Sequence, residues 1–354
     1  MKALILSGGK GTRLRPITYT GAKQLVPVAN KPILFYTIEA VKAAGITDIG
    51  IVVGETHEEV EAAVGDGSAW GVDITYIQQD EPAGLAHAVK ISQDFIKDDA
   101  FVMYLGDNLI KDGITSFVDE YCSSDANAQI LLAHVPNPQS FGVAVLAEGR
   151  VVRLVEKPKN PPTDLALVGV YMFDSTVFEA VNAIKPSARG ELEITDAIQY
   201  LVDNDYKVNS HIITGWWKDT GKLEDMLEAN RIILDGITTD ICGEVDETSE
   251  IAGRVKMGKG TKIINSCVRG PAIIGDECIV ENAFIGPYTS INDRCKIVCS
   301  EVEHSIILED SQVLNIGSRL EDSLIGKNVK IDKDGRKPRA YRMMVGDNSA
   351  VSVT

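Results

Sequence analysis

Hydrophobic residues in roughly the first 235 positions form short continuous runs that alternate with segments of helical periodicity. Three runs have the length of strands buried on both faces: Leu4–Leu6, Ile49–Val53 and Phe101–Leu105. Residues 32–44 predict a helix with one apolar face, made of Ile33, Tyr36, Ala40, Val41 and Ala44. This alternation predicts an α/β domain in which helices cover a mixed, mostly parallel sheet.

Two local signals refine this domain. Thr56 and Glu59 have the spacing of a capping box at the start of a helix that Gly65 ends. Residues 141–146 and 151–156, joined around Glu148 and Gly149, predict a β-hairpin.

The pattern changes at about Ile251. Apolar or small residues recur at every sixth position, at 255, 261, 267, 273, 279, 285, 291 and 297. The phase then shifts and resumes at Ile307, Val313, Ile325 and Ile331, with Arg319 interrupting it. A six-residue repeat is typical of a parallel β-helix, here of roughly four or five coils of ~18 residues. We therefore predict two domains, 1–236 and 237–354.

Composition places few limits on this picture. The 354 residues are 44% hydrophobic and 24% charged, as in ordinary globular proteins. No apolar run approaches the ~20 residues that span a bilayer, and the opening residues do not resemble a signal peptide, so we expect a cytoplasmic protein. The six cysteines include no C-x-x-C pair and are expected to be reduced thiols.

Charge is distributed unevenly along the chain. The formal net charge of −16 argues against nucleic acid polymers and anionic membranes as partners. No acidic residue precedes Glu39, yet the same stretch contains Lys2, Lys10, Arg13, Arg15, Lys23 and Lys31. A cationic opening on an acidic protein predicts a site for a small anion.

A glycine-rich loop, Ser7-Gly8-Gly9-Lys10-Gly11-Thr12-Arg13, directly follows the first strand. Glycines allow the backbone to approach a ligand, and successive N–H groups form an anion-binding concavity. The loop is not a Walker motif, and it lacks the third glycine of a dinucleotide-binding fingerprint because Leu14 occupies that place.

Several segments resemble the sugar-nucleotide pyrophosphorylases, and most closely the glucose-1-phosphate thymidylyltransferase family in its long form. The matching segments occur in the family's order, at 6–16, 22–32, 79, 83–86, 105–108, 141–143, 156–158, 190–196 and 217–221. The resemblance implies a Rossmann-like nucleotidyltransferase domain followed by a hexapeptide-repeat left-handed β-helix. It also implies a reaction of dTTP with glucose 1-phosphate that depends on Mg²⁺.

The resemblance assigns residues to the two substrates and to the metal ion. Arg13, Lys23 and Lys157 are implied as catalytic, contacting the leaving phosphates, the α-phosphate and the sugar phosphate. The implied nucleotide-binding residues are Gly8, Gly9, Gly11, Thr12, Arg13, Gln24, Gln79, Gly84 and Asp107. The implied sugar-phosphate-binding residues are Gly142, Glu156, Lys157, Leu167 and Gly169. Asp107 and Asp219 are the implied Mg²⁺ ligands, consistent with hard carboxylate oxygens.

The implied chemistry agrees with the residue types. A sugar phosphate is mostly ionised at pH 7, because its second pKa is near 6, so the attacking oxygen needs no general base. The reaction needs alignment and charge neutralisation of two anions, which lysine, arginine and a metal ion provide.

Two alternatives stay open at this point. A UTP-dependent or broader sugar-1-phosphate nucleotidyltransferase would share these motifs, because a thymine methyl contributes only about 1–3 kcal/mol of discrimination. A non-catalytic sensor or scaffold would be expected to lack Arg13, Lys23 or the two aspartates, all of which are present. His304 is interpreted as a surface residue rather than an acetyltransferase base, and the β-helix predicts a homo-oligomer.

Overall fold

A computed structural model describes residues 1–9 and 11–333 and shows two compact units. The first unit contains Met1–Thr12, Gly21–Val26 and Lys31–Gly221. The second contains Arg13–Thr20, Pro27–Asn30 and residues 222–333. The domain boundary predicted after residue 236 stays a prediction.

The first part of the chain contains strands β1 to β13 and helices α1 to α8. The strands are β1 (Lys2–Leu6), β2 (Pro27–Val28), β3 (Lys31–Pro32), β4 (Asp48–Val53), β5 (Asp73–Gln78), β6 (Phe101–Leu105), β7 (Asn108–Ile110), β8 (Ala128–His134), β9 (Gly142–Ala147), β10 (Arg150–Glu156), β11 (Leu165–Phe173), β12 (Val208–Ile212) and β13 (Trp217–Asp219). The helices are α1 (Ile33–Ala43), α2 (His57–Val64), α3 (Leu85–Ile91), α4 (Gln93–Ile96), α5 (Thr115–Cys122), α6 (Val177–Ala183), α7 (Ile194–Asp203) and α8 (Leu223–Leu234).

The main sheet of the first unit is mixed, as predicted. Its strand order is β10-β9-β11-β6-β1-β4-β5, with β8 paired to β11 and β12 to β8. Strands β6, β1, β4 and β5 are mutually parallel, whereas β11 is antiparallel to β6 and β8. The predicted hairpin is confirmed as the antiparallel pair β9 and β10.

Alternation along the buried strands divides the core into two layers. In β1, Leu4 and Leu6 belong to the hydrophobic cluster on one side of the sheet, and Ala3 and Ile5 to the cluster on the other. Both sides are buried, which explains why this strand reads as a continuous apolar run.

Helix α1 confirms the predicted element, and its buried face extends beyond the predicted residues to Leu34, Thr37 and Ile38. The buried side chains are those of Ile33, Leu34, Thr37, Ile38 and Val41. Tyr36, Ala40 and Ala44, also predicted for this face, are half-buried, and Ala40 and Ala44 pack against a core cluster. Leu34, Ile38 and Val41 share one stripe at i, i+4 and i+7 and join the core cluster. The Tyr36 ring instead lies 4.1 Å from the Lys31 ammonium.

The predicted capping box at α2 was also wrong in its bonding. The Thr56 side chain makes no capping hydrogen bond, although α2 begins directly after it and ends at Gly65. The Glu59 carboxylate accepts a hydrogen bond from the Ala22 backbone N–H, with Oε2 and N 2.8 Å apart. Glu59 therefore makes a tertiary contact with the residue that precedes Lys23, and it does not cap the start of its own helix.

The parallel β-helix predicted for the tail is confirmed, and its strands begin at Asp240 rather than at Ile251. The strands are β14 (Asp240–Ile241), β15 (Glu244–Val245), β16 (Glu250–Ala252), β17 (Val255–Met257), β18 (Lys262–Ile264), β19 (Cys267–Arg269), β20 (Ala272–Ile274), β21 (Ile279–Glu281), β22 (Phe284–Ile285), β23 (Thr289–Ile291), β24 (Lys296–Val298), β25 (Glu301–Val302), β26 (Ile306–Ile307), β27 (Gln312–Leu314), β28 (Leu324–Ile325) and β29 (Lys330–Asp332). Within the described residues they form three parallel sheets of six, six and four strands. The left hand of the coil stays a prediction.

The strict period of six was wrong over part of the repeat. Val255 pairs with Ala272 and Ala272 with Thr289, so these coils take 17 residues rather than 18. Residues spaced six apart therefore do not all face the inside of the coil, and some of them face outward. Ile285, Ile291 and Ile297 are fully buried, whereas Cys267, Ile273 and Ile279 are only half-buried.

Arg319 and His304, which interrupt the repeat, both have acidic partners one coil away. The Arg319 guanidinium pairs with Glu301 and Glu303. The His304 Nδ1 hydrogen-bonds the Asp322 carboxylate, and the imidazole is 29% exposed. In residues 1–9 and 11–333, no helix is long and apolar enough to cross a membrane.

Candidate active site

The loops after β1, β4 and β6 leave the first unit's sheet at one edge, because these strands are parallel. Backbone hydrogen bonds join the loops: Ser7 N to Val52 O at 2.8 Å, and Gly106 N to Leu6 O at 2.9 Å. The glycine-rich loop therefore lies beside the chain that carries Asp107. This is the edge at which open α/β sheets bind ligands.

Lys23, Asp107 and Asp219 form a charged cluster in the first unit. The Lys23 side chain is only 6% exposed, and its Nζ donates a hydrogen bond to Asp107 Oδ2. The same Nζ lies 3.7 Å from Asp219 Oδ1. The structure thus brings the predicted catalytic lysine together with both predicted metal ligands, which are far apart in sequence.

Strand pairing explains why the two aspartates are close. Strand β13 is antiparallel to β7, with Asp219 opposite Asn108. Asp219 is therefore the last residue of strand β13. The Asp107 carbonyl accepts two hydrogen bonds from Thr220, from its N at 3.1 Å and its Oγ1 at 2.7 Å.

Two side chains that orient Asp107 were given no role from the sequence. Asn108 Nδ2 donates to Asp107 Oδ1 at 2.9 Å, and Trp217 Nε1 donates to Asn108 Oδ1 at 2.6 Å. Both residues lie within the segments that carry the family resemblance. Their place in these segments could have drawn attention to Asn108 and Trp217. Their hydrogen bonds to each other and to Asp107, however, depend on the pairing of β7 with β13, which the sequence does not show.

These neighbours set the ionisation of Asp107. Burial by itself raises the pKa of a carboxyl group, but the Lys23 ammonium and the Asn108 amide favour the carboxylate. Their combined effect holds the pKa of Asp107 below its ordinary value. Asp107 is therefore an anion near neutral pH.

The two carboxylates fit a divalent metal ion such as Mg²⁺. Their oxygens converge on one cationic group, the Lys23 ammonium, so this position favours positive charge. In the part of the chain that the structure describes, no group of three or more His, Cys, Asp and Glu side chains could hold a metal ion. Mg²⁺ commonly uses one or two carboxylates and completes its shell with phosphate and water oxygens. Asp107 and Asp219 are the residues that would hold it.

Gln79 lies next to the glycine-rich loop. Gln79 N donates to Val53 O at 2.8 Å, and a Cβ at Gly8 would come within 3.2 Å of Gln79 Oε1. The Gln79 amide nitrogen contacts Gly84 O at 3.3 Å and His87 Nδ1 at 3.0 Å. Three predicted nucleotide-binding residues, Gly8, Gln79 and Gly84, are thus neighbours. The contact with His87 was not predicted.

Gly84 has a structural requirement that the sequence did not indicate. Its φ is +108°, and a Cβ there would be 2.4 Å from Leu192 O. The same loop bonds Leu192 twice, through Leu192 N to Ala83 O at 2.7 Å and Ala86 N to Leu192 O at 3.0 Å. Gly84 therefore permits close contact between two loops.

Glu156 is the centre of the predicted sugar-phosphate region. Its Oε1 lies 3.4 Å from Lys157 Nζ and 3.5 Å from Arg189 Nη2, and its Oε2 accepts a hydrogen bond from Thr195 Oγ1 at 3.2 Å. Arg189 also pairs with the buried Glu193. Arg189 and Thr195 were missed as neighbours of Glu156, although Thr195 lies in a matching segment.

Gly142, Leu167 and Gly169 adjoin these groups. A Cβ at Gly142 would come within 2.6 Å of Thr195 Cγ2, 3.0 Å of Glu156 Oε2 and 3.3 Å of Leu167 Cδ1. A Cβ at Gly169 would approach Asn108 Oδ1 at 3.0 Å. Gly142 and Leu167 thus lie beside Glu156, whereas Gly169 lies beside the residue that orients Asp107.

The remaining predicted nucleotide-binding residues divide between the units. A Cβ at Gly9 would be 3.7 Å from Gln24 Nε2, and Gln24 is buried. Gly11, with φ of +61°, and Thr12 belong to the first unit. Arg13 belongs to the second unit, with the residues up to Thr20.

Comparison with known proteins identifies a family for this arrangement. Residues 2–236 match the nucleotidyl transferase family. The chain is 54% identical to a glucose-1-phosphate thymidylyltransferase of Streptomyces antibioticus, over 100% of this chain and 99% of that protein.

Two solved structures have a similar fold. A Bacillus anthracis protein assigned as a glucose-1-phosphate thymidylyltransferase, bound to sucrose, gives a TM-score of 0.62 at 38% identity and covers 66% of this chain and 94% of its own. A UDP-glucose pyrophosphorylase complexed with UDP-glucose gives 0.60 at 25% identity and covers 66% and 98%.

Proposed function

The chain belongs to the nucleotidyl transferase family, and we propose that it is a glucose-1-phosphate thymidylyltransferase. It would convert dTTP and glucose 1-phosphate into dTDP-glucose and pyrophosphate. The observation that carries this proposal is the cluster of Lys23, Asp107 and Asp219, with Gln79 and Glu156 in the same unit.

The reaction is an in-line displacement at phosphorus. A phosphate oxygen of glucose 1-phosphate attacks the α-phosphorus of dTTP and forms a new P–O bond. The bond between the α-phosphorus and the bridging oxygen to the β-phosphate breaks, and pyrophosphate leaves with that electron pair. The attacking oxygen is already ionised near neutral pH, so no side chain has to remove a proton.

Lys23 is proposed to bind the α-phosphate, where charge increases in the transition state. Its ammonium group is buried beside two carboxylates, with Asp219 Oδ1 at 3.7 Å and Asp107 as the hydrogen-bond partner. A phosphate oxygen arriving beside Nζ would replace part of the contact with Asp107. Arg13 is proposed to bind the leaving β- and γ-phosphates, because a guanidinium can hold two phosphate oxygens at once.

Asp107 and Asp219 are proposed to hold Mg²⁺. When bound, the ion would offset phosphate charge and help align the two substrates. Asn108, Trp217 and Thr220 contribute by fixing Asp107 through its side chain and its carbonyl.

Glu156 and Lys157 are proposed to bind the sugar phosphate. Lys157 supplies a cation for the phosphate, and Glu156 can accept hydrogen bonds from hexose hydroxyls. Arg189 and Thr195 hold the Glu156 carboxylate from the other side. A residue fixed in this way binds a hydroxyl with less loss of side-chain freedom.

Gln79 and Gly84 are proposed to bind the base. An amide both donates and accepts, as a pyrimidine edge does, so Gln79 can pair with thymine. The same pairing is available to uracil, and a single methyl contributes only about 1–3 kcal/mol. We therefore expect dTTP to be preferred and UTP to be a weaker substrate.

A homo-oligomer and a cytoplasmic location stay part of this proposal. Large apolar side chains on the β-helix are exposed, namely Ile241 and Val245 at 39% and Ile264 at 37%. Such side chains on an open strand surface favour contact with a second copy. Light scattering that finds only monomer would remove the oligomer from the proposal.

The function is tested by crossing five nucleotides with several sugar 1-phosphates and measuring pyrophosphate release with Mg²⁺. The nucleotides are dTTP, UTP, CTP, ATP and GTP. We expect dTTP with glucose 1-phosphate to give the highest kcat/KM. If UTP were used about tenfold more efficiently than dTTP, the base assignment would be wrong. If no combination of nucleotide and sugar 1-phosphate released pyrophosphate, the hypothesis of a non-catalytic sensor or scaffold would replace that of an enzyme.

A further inference from the structure

Asn230 is a fully buried polar residue of α8 in the second unit, and all its side-chain bonds go to other segments. Its Oδ1 accepts hydrogen bonds from Ala29 N at 2.9 Å and from Ser290 Oγ at 2.6 Å. Its Nδ2 donates to Tyr288 O at 2.9 Å. One amide thus joins α8, a turn of the β-helix and the short segment Pro27–Asn30.

The segment that Asn230 holds has a backbone that needs support. Ala29 and Asn30 have φ values of 48° and 59°, in the left-handed region that residues with a Cβ rarely adopt. A second bond fixes the same turn, from Asn30 Nδ2 to Ile291 O at 2.6 Å. Two asparagine side chains therefore hold consecutive residues of this turn against the β-helix unit.

This turn follows Lys23 closely in the chain. Val26 N bonds back to Lys23 O at 3.2 Å, and Pro27, whose ring restricts φ, connects it to Val28 and Ala29. Before Lys23, Glu59 holds Ala22 N at 2.8 Å. The short segment that carries Lys23 is therefore held at both ends, by Glu59 before it and by Asn230 after it.

We propose that Asn230 is a positioning residue for nucleotidyl transfer, which acts on Lys23 through the segment Pro27–Asn30. The inference rests on the proposed function of Lys23. An amide suits this role because it supplies two acceptor positions and a donor at once. Alanine would remove the acceptor of the buried Ala29 N–H and the donor to Tyr288 O, and a buried network of this kind favours one arrangement over slightly shifted ones.

The test compares Asn230→Ala with Ser290→Ala. Ser290 is equally buried and bonds the same Oδ1, but the acceptor for the Ala29 N–H is Asn230, which Ser290→Ala leaves in place. We expect Asn230→Ala to lower kcat about tenfold with both KM values changed less than about twofold, because Lys23 acts mainly in the transition state. Ser290→Ala is expected to keep its kcat even if it lowers Tm. Asn30→Ala removes the other bond to the turn and should resemble Asn230→Ala more weakly.

Hydrogen exchange of the peptide covering 22–30 supplies a readout that does not depend on activity. Exchange there should be faster in Asn230→Ala than in the wild type or Ser290→Ala. The positioning role is overturned if this exchange is unchanged, or if a folded Asn230→Ala keeps the wild-type kcat. If Asn230→Ala does not fold, the same two measurements, hydrogen exchange of 22–30 and kcat, are made on Asn30→Ala and decide whether the turn positions Lys23. A wild type without transferase activity would reject the proposed function and this role in it.

Discussion

Hydrogen bonds of polar side chains form two contrasting networks, one in the first unit and one in the β-helix. In the first unit, the hydrogen bonds of Asn108, Trp217 and Thr220 converge on Asp107. In the β-helix they repeat along the coil. Ser249 Oγ accepts from Ser266 N, and Ser266 Oγ accepts from Ala283 N, both at 3.0 Å.

The difference shows what each arrangement is suited to do. A convergent network holds one carboxylate in one orientation, so each partner has a different role and no neighbour can replace it. A repeated bond satisfies the same backbone group in each coil, and each copy stabilises mainly its own neighbours. Substitutions in the first network should therefore change rate, whereas substitutions in the ladder should change stability.

The largest expected effect in this comparison is at Asp107. Asp107→Asn keeps the shape but removes the charge that would hold Mg²⁺, and we expect kcat to fall by about 10³-fold. The buried Lys23 ammonium also loses its closest partner, so Tm should fall as well. Steady-state kinetics and thermal unfolding measure both quantities.

The control for Asp107→Asn is Asp119→Asn, at an exposed position of α5. This variant changes the formal charge equally and should keep both rate and Tm. A near-normal kcat for Asp107→Asn at saturating Mg²⁺ would remove Asp107 from the metal site.

A smaller effect with a distinctive pH dependence is expected at Lys23. Lys23→Met removes the ammonium that holds the pKa of Asp107 down, so burial should raise that pKa. The carboxyl then protonates at a higher pH, and the acid limb of kcat/KM moves to higher pH. In the wild type, the lowered pKa of Asp107 contributes stability at every pH above the pKa that this carboxyl group has in the unfolded chain. This contribution is lost as the pH falls through the pKa of Asp107 in the folded protein. The stability difference between wild type and variant should therefore narrow in acid.

A pH–rate profile of Lys23→Met beside the wild type measures this shift, and Lys31→Met is the control. Lys31 lies on Tyr36 and pairs with Glu39, away from Asp107. An acid limb at the same pH in wild type and Lys23→Met would show that Lys23 does not control the ionisation of Asp107.

The sequence was sufficient wherever one short segment determines the structure. The strands β1, β4 and β6 follow from continuous apolar runs, and the β9–β10 hairpin follows from its turn. The β-helix was predicted because repetition makes each coil visible from the next. The coil length of ~18 residues holds for the last coils but was wrong for the earlier ones, since a change from 18 to 17 residues shifts the inward position without breaking the apolar character.

The site was predictable in its residues but not in its connections. Lys23, Asp107 and Asp219 were selected from separate segments, and their contact depends on the pairing of β7 with β13. Glu59 was misread because its local spacing suits a capping box, whereas its partner, Ala22, is distant in sequence. Asn230 had no local signal, because its bonds to Ala29 and Ser290 exist only in the folded chain.

The smallest expected effect tests the ladder of the β-helix. Ser266 Oγ donates to Ile264 O at 2.7 Å while it accepts from Ala283 N, and Ser266→Ala leaves that buried N–H without an acceptor. We expect the free energy of unfolding to fall by about 1–3 kcal/mol, with kcat and both KM values unchanged. Ser318→Ala, at an exposed position of the same unit, should leave all of these quantities unchanged. Denaturant unfolding and steady-state kinetics of the two variants decide the matter, because a loss of kcat in Ser266→Ala without a loss of stability would contradict a purely structural ladder.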